Sequence, residues 1–184
     1  LKSEFRKVIY ARANWGLLIA ASLLSTISVV TTPFILDQAP AGIDVGVDTV
    51  SGMEATFSNA ISGYIIVIIL GVMLMAGEYR HGTAVATFLT RPKREVVLAA
   101  KVAIAAISGA AVMLISSWVS ILAGIVAIST IDGAVMPTSD ILVNLTVASL
   151  VSGAILAVIG VAIGALLKSQ ILAIVFSMIY LFVI

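Results

Sequence analysis

The sequence predicts an all-α integral membrane protein whose amino terminus lies in the cytoplasm. Three observations predict it. Of the 184 residues, 61% are hydrophobic and only 10% are charged. Long apolar runs recur along the chain. All ten Lys and Arg residues fall on one side of the alternation that those runs impose.

Soluble domains carry about 45–50% apolar and about 25% charged residues. A mean hydropathy of +1.24 is more apolar side chain than a water-solvated core can absorb, so the solvent is lipid. The chain has no cysteine, which excludes disulfides, thiolate chemistry and cysteine metal sites. It begins with Leu1 and stops at Ile184 inside an apolar run, and it reads as part of a longer protein. Its start does not resemble a cleaved signal peptide, because the first span is long and has no small-residue cleavage site.

The elements follow in order. In residues 1–13 and on to Trp15, Leu1, Phe5, Val8, Ile9 and Trp15 fall on one helical face and Lys2, Ser3, Arg6 and Lys7 on the other. That pattern suits an amphipathic helix lying on the cytoplasmic membrane surface; a basic topogenic tail is the plainer alternative. A helix needs about 20 mostly apolar residues to cross a hydrocarbon core of about 30 Å. Spans are expected at 14–32, 59–76, 96–128, 141–167 and 171–184. The third and fourth are longer than a bilayer requires and must tilt or project; the fifth is too short to cross as it stands. The Pro- and Gly-dotted stretch from Pro33 to Gly52 reads as an external loop, followed by a short helix near Met53–Ser58. No internal repeat divides the chain, so residues 1–184 are read as one transmembrane domain.

Charge orients the bundle. Cytoplasmic connections are enriched in Lys and Arg. With the start placed inside, the inner segments hold Lys2, Arg6, Lys7, Arg12, Arg80, Arg91, Lys93, Arg94, Lys101 and Lys168. The outer ones hold Asp37, Asp44, Asp48, Glu54, Asp132 and Asp140 and no basic residue. A span count wrong by one would break this separation.

Ionisable groups inside a bilayer are costly and usually mark ion paths, and the expected spans carry none between their ends. Glu78, Glu95 and Lys101 are expected at the cytoplasmic margins. The interior polar groups are hydroxyls and one amide, such as Ser62, Tyr64, Ser116, Ser117, Ser120, Asn144, Thr146, Ser149 and Ser152. They read as hydrogen bonds between helices, each worth about 0.6 kcal/mol. A proton- or sodium-driven carrier would need a coordinating cluster at mid-depth. The single histidine, His81, lies in a cytoplasmic loop, which fits an intramembrane hydrolase poorly. No G-x-x-x-x-G-K-[ST] phosphate loop stands in these residues, so any uphill transport would draw its energy from another subunit. Gly153, Gly160 and Gly164 mark a close helix packing surface, within the subunit or against a partner.

The informative segment is 77–95, between the second and third spans. Gly82 breaks the helix, Thr83 is a good N-cap, residues Ala84–Thr90 suit a short helix, and Pro92 fits the first turn of the next. Val85, Phe88 and Leu89 share one face of the short helix, which at 1.5 Å per residue is about 10 Å long. An ordinary basic connection that merely turns the chain is the alternative.

Glu78-Tyr-Arg80-His-Gly82-Thr83, then the short helix, Arg91-Pro92-Lys-Arg94 and Ala99-Ala-Lys101, resembles the first intracellular loop of bacterial type-2 ABC transporter permeases. In that family an acidic residue, an Arg, a Gly-Thr pair and a later Pro beside basic residues frame a coupling helix that docks on the nucleotide-binding subunit. The amino-terminal segment likewise resembles the family's connecting helix. The resemblance covers the whole chain in topology and a short stretch in motif.

It implies a six-span permease bundle, of which about five spans are present. It implies an ATPase-coupling site of Glu78, Arg80, Gly82, Thr83, Val85, Phe88, Leu89, Arg91 and Pro92. The chain itself would be non-catalytic and bind no cofactor, with ATP and Mg held by partner ABC ATPase subunits. A second permease, identical or homologous, would complete the pair in a bacterial plasma membrane. Lipid, and not nucleic acid, is its other partner. Spans lined by aliphatic side chains and hydroxyls suit an amphiphilic or hydrophobic cargo such as a drug, an antimicrobial peptide or a lipid, and the family implies export. A non-transporting scaffold or sensor subunit that binds a cytoplasmic protein, or a secondary carrier, are the alternatives.

Overall fold

The computed structural model describes residues 10–38, 46, 48–80, 94–131, 133–167 and 169–183. Among these, every regular element is a helix. In chain order they are α1 (Arg12–Asp37), α2 (Val50–Ser58), a 3-10 turn (Asn59–Ile61), α3 (Tyr64–Arg80), α4 (Arg94–Ile128), α5 (Ser139–Leu167) and α6 (Gln170–Val183). Four stretches are long and apolar enough to cross a bilayer: Arg12–Leu36, Val50–Gly77, Leu98–Ile128 and Ser139–Leu167. The amphipathic segment Leu1–Ile9 lies outside the described residues.

Two expectations about these helices fail. The first helix does not stop at Thr32 but runs through Pro33 to Asp37. Proline removes one backbone donor and ends most water-exposed helices, yet it is tolerated in membrane spans, where nearby hydroxyls take up backbone acceptors. Thr31 Oγ1 donates to the Ile27 carbonyl and Thr32 Oγ1 to the Ser28 carbonyl, both at 2.7 Å, in the turn beside the Val29 carbonyl that loses its usual donor at Pro33. The second span, expected as a helix from Asn59 to Ala76, becomes α-helical only at Tyr64, whereas the short helix expected near Met53–Ser58 is present as α2. α2 precedes it in the chain, capped by Thr49 Oγ1, which accepts from the Gly52 N–H at 3.1 Å. The 3-10 turn and Ser62-Gly63 then interrupt the ladder before α3. Alone, α3 has 17 residues, about 25 Å at 1.5 Å per residue, so only α2 and α3 together have the reach of a full span.

α5 is the centre of the bundle, with α3 and α4 both lying along it. Positions 153, 157, 160 and 164 are spaced by four, three and four residues, so they form one stripe along α5. The stripe serves α4 first and α3 further along. The register shows α4 antiparallel to α5, with Gly109 and Met113 opposite Gly153, and α3 parallel to it, with Ile68 opposite Gly160 and Val72 opposite Gly164. α1 lies mainly on α4, and α6 on α3.

Three apolar clusters result. One, at the end where α1 and α4 finish and α5 begins, joins Val29, Met53, Phe57, Ala60, Ile121 and Ile128. A second, along the stripe, joins Val67, Met75, Ala105, Met113, Ala157 and Val161. The third seats Ala173 of α6 against Ile68, Val72, Ala76 and Ile163. Outward faces remain apolar: Ile19, Leu23 and Ile27 on α1, and Val143, Val147 and Val151 on α5, are all exposed. Such faces suit hydrocarbon, not water.

Candidate functional site

The segment singled out for coupling joins α3 to α4. Glu78 and Arg80 lie in the last turn of α3, and α4 begins at Arg94. Gly82, Thr83, Val85, Phe88, Leu89, Arg91 and Pro92 lie outside the described residues, as do His81 and the short helix expected at 84–90. The two helices that enter and leave the segment share the stripe on α5.

That stripe is a close-packed joint. Lipid tails are as apolar as leucine, so helices in a membrane associate through van der Waals fit, and small residues let their backbones approach. A methyl group on Gly71 of α3 would strike the Ala157 carbonyl oxygen, and one on Gly160 would strike the Ile68 carbonyl oxygen. One on Gly153 would lie 2.6 Å from the Gly109 carbonyl oxygen and 2.6 Å from Met113 Cβ. Gly164 is less crowded, with 3.0 Å to the Val72 carbonyl oxygen. Thus Gly160 and Gly164 meet α3, and Gly153 meets α4. Their partners Gly71 and Gly109 are not singled out by sequence reasoning. A signal is present, a glycine in the middle of each apolar helix, but nothing in one sequence pairs it with α5.

The interior hydroxyls differ from expectation. The sequence predicts bonds between helices; most of the hydroxyls instead donate to carbonyls of their own helix. Ser116 Oγ donates to the Met113 carbonyl at 3.1 Å, Ser117 Oγ to Leu114 at 3.0 Å and Ser120 Oγ to Ser117 at 2.8 Å. On α5, Thr146 donates to Leu142 and Ser149 to Thr146. A serine inside a helix always has such a carbonyl within reach one turn back. Asn144 is exposed on the second turn of α5 and does not face the interior. Lys101, expected at a membrane margin, is buried at 6% exposure and is not without a partner.

Bonds that do cross between elements hold the second span to α1. The Gly63 N–H donates to Ser25 Oγ at 2.9 Å, in a buried position. Asn59 Nδ2 donates to Thr32 Oγ1 at 3.2 Å and to the Ala55 carbonyl at 2.9 Å. Backbone freed by a helix break is tolerated at membrane depth only where protein or water satisfies it. The Gly63 carbonyl also accepts from the Ile66 N–H at 3.0 Å, starting α3. Gly63 approaches α1 closely, since a methyl group there would lie 3.2 Å from Ala21 Cβ. Among the described residues, no three histidine, cysteine or acidic residues are grouped to hold a metal ion.

A chain whose regular elements among the described residues are all helices, with four bilayer-length apolar stretches, a glycine-packed centre and outward faces of aliphatic side chains, is a multi-pass membrane protein. The family described as ABC-2 family transporter protein matches it across residues 1–184, and the chain belongs to that family. It is an ABC-2 type permease. No curated protein and no solved structure matches the chain.

Proposed function

We propose that this chain is the membrane-spanning half of an ATP-driven exporter in a bacterial plasma membrane, with its amino terminus in the cytoplasm. The observation that carries the reading is the family match over residues 1–184, together with the loop motif Glu78 to Arg94. Two ATPase subunits bind ATP and Mg; a second permease, identical or homologous, completes a pair of six-span bundles. Residues Ala84–Thr90 form the coupling helix, with Thr83 as its cap and Val85, Phe88 and Leu89 facing a groove on the ATPase. Closure of the ATPases on ATP pushes this helix. The helix hands the motion to α3 and α4, and α5 ties those two together. Aliphatic faces and hydroxyls already bonded to their own backbone leave little to bind a small polar solute, which favours an amphiphilic or hydrophobic cargo.

The test co-purifies the chain with its ATPase. Truncating an aromatic anchor in an interface costs about 2 kcal/mol or more, whereas losing an N-cap costs about 1 kcal/mol and an exposed ion pair about 0–1 kcal/mol. Phe88→Ala is therefore expected to lower complex yield more than Thr83→Ala, and both more than Lys93→Ala. None should prevent membrane insertion. Full yield from Phe88→Ala beside loss from Lys93→Ala would mean that the loop works through charge and not through a docked helix.

A further inference from the structure

We propose that α2, with the 3-10 turn behind it, is a gate at the outer end of the bundle that swings about Ser62-Gly63. The proposal rests on the permease reading and adds the part that opens.

The two halves of the second span are held in different ways. α3 is fastened to α5 backbone against backbone, through Gly71, Gly160 and Gly164. Contacts of that kind cannot slide without collision, because the atoms in the way belong to main chains that are themselves held in helices. α2 is held differently. Its described attachments are made by side chains: Met53 and Phe57 inserted among Val29, Ile121 and Ile128, and Asn59 bonded to Thr32. Between the halves, the Gly63 N–H leaves the helix ladder for Ser25 Oγ. Short turn bonds flank it, from the Ser62 N–H to the Asn59 carbonyl and from the Ile66 N–H to the Gly63 carbonyl, so turning there disturbs turn bonds and not a long α-helical run. Hinges are commonly a few such element-terminal residues.

α2 is also a self-sufficient unit. Its first turn is closed by Thr49, its buried face is Gly52, Met53, Thr56 and Phe57, and the side chains of Ser51, Glu54 and Ser58 are exposed. Its cap and the 3-10 turn behind it bound it at both ends. Its anchor is specific: Gly124 leaves a notch on α4 into which Phe57 fits, a methyl group there lying 3.2 Å from Phe57 Cε1 and colliding with Val29 Cγ1. Phe57 is fully buried and so is Val29 beneath it. Withdrawing Phe57 would open an apolar cleft between α1 and α4, lined by Val29, Ile121 and Ile128 and facing the end where the acidic loops lie. The bond from Gly63 to Ser25 stays at the pivot, where displacement is least.

The experiment uses the complex of this chain with its ATPase subunits in lipid nanodiscs, and needs no known cargo. The chain contains no cysteine, so one introduced thiol reports one site. Val29→Cys, covered by Phe57 in the closed form, is labelled with a small maleimide with and without Mg-ATP. Labelling about tenfold faster during ATP turnover is expected, the response of a closed state whose minor open form becomes a main one. Equal rates with and without nucleotide overturn the gate. Should Val29→Cys fail to assemble, the pair Thr32→Cys with Asn59→Cys supplies a second measurement. A short bifunctional thiosulfonate should bridge that pair several-fold more slowly in turnover, because α2 carries Asn59 away from α1; an unchanged bridging rate again overturns the gate. Failure of the permease reading itself looks different, since the ATPase would then be missing from the purified complex.

Discussion

Placing one methyl group at Gly160 should loosen the central joint of the bundle. In a helix interior, glycine to alanine gains about 1 kcal/mol of propensity. At Gly16 of α1, where nothing lies within 4 Å of the added carbon, that gain stands alone and Gly16→Ala should be neutral to stabilising. At Gly160 the new carbon collides with the Ile68 carbonyl oxygen and lies 3.0 Å from both Gly71 Cα and Val72 N. All three are main-chain atoms, so no rotamer change relieves the contact and the helices must separate. Overpacking costs about 1–3 kcal/mol, occasionally more, and separation also forfeits dispersion contacts along the stripe. The net loss should be about 1–2 kcal/mol, a factor of about 5–30 in the folded ratio. Gly164→Ala, at 3.0 Å from one carbonyl oxygen and 3.2 Å from the side-chain carbon Met75 Cβ, should fall between the two. The assay is reversible unfolding in mixed micelles with rising dodecyl sulfate, followed by helicity and by Trp15 and Trp118 fluorescence. Equal midpoints for Gly160→Ala and Gly16→Ala would refute the packing argument.

Two further outcomes follow from the same geometry. Ser25→Ala removes the acceptor for the buried Gly63 N–H, and leaving such a donor unsatisfied costs about 1–3 kcal/mol; the same unfolding assay should register it, together with faster hydrogen exchange at the Gly63 amide. For orientation, cysteines replacing Asp48 and Asp140 should react with a membrane-impermeant thiol reagent in intact cells and one replacing Lys93 should not. Labelling at 93 in sealed cells would reverse the bundle.

The number and order of helices are legible because apolar length and the sorting of Lys and Arg are properties of composition, which one sequence carries in full. The ends of α4 and α5 lie within two residues of expectation, since charged or loop-forming residues bound both. The passage through Pro33 escapes an aqueous rule, in which a broken ladder has water as competitor. The break at Ser62-Gly63 is invisible for another reason: Ser-Gly within an apolar run is ordinary in a membrane helix, and only Ser25, 38 residues earlier, makes the interruption tolerable. For the same reason Phe57 reads as the tail of a loop helix, although Gly124 provides its seat. Glycine spacing on α5 points to a packing face, but the identity of the two helices it meets is long-range information.

The shared stripe on α5 bears on biogenesis. α4 and α5 are neighbours in the chain, joined by a short connection, and their glycine contacts can form as a hairpin as soon as both have left the insertion machinery. α3 is made earlier than either, yet the surface that receives it is completed only when Gly160 and Gly164 are in place. Until then α3 must wait in the lipid with Gly71 uncovered. Nascent chains whose residues from 153 onward have not yet emerged should therefore leave Gly71 and Gly109 uncovered and both helices open to quality-control proteases, and emergence beyond residue 164 should protect both together.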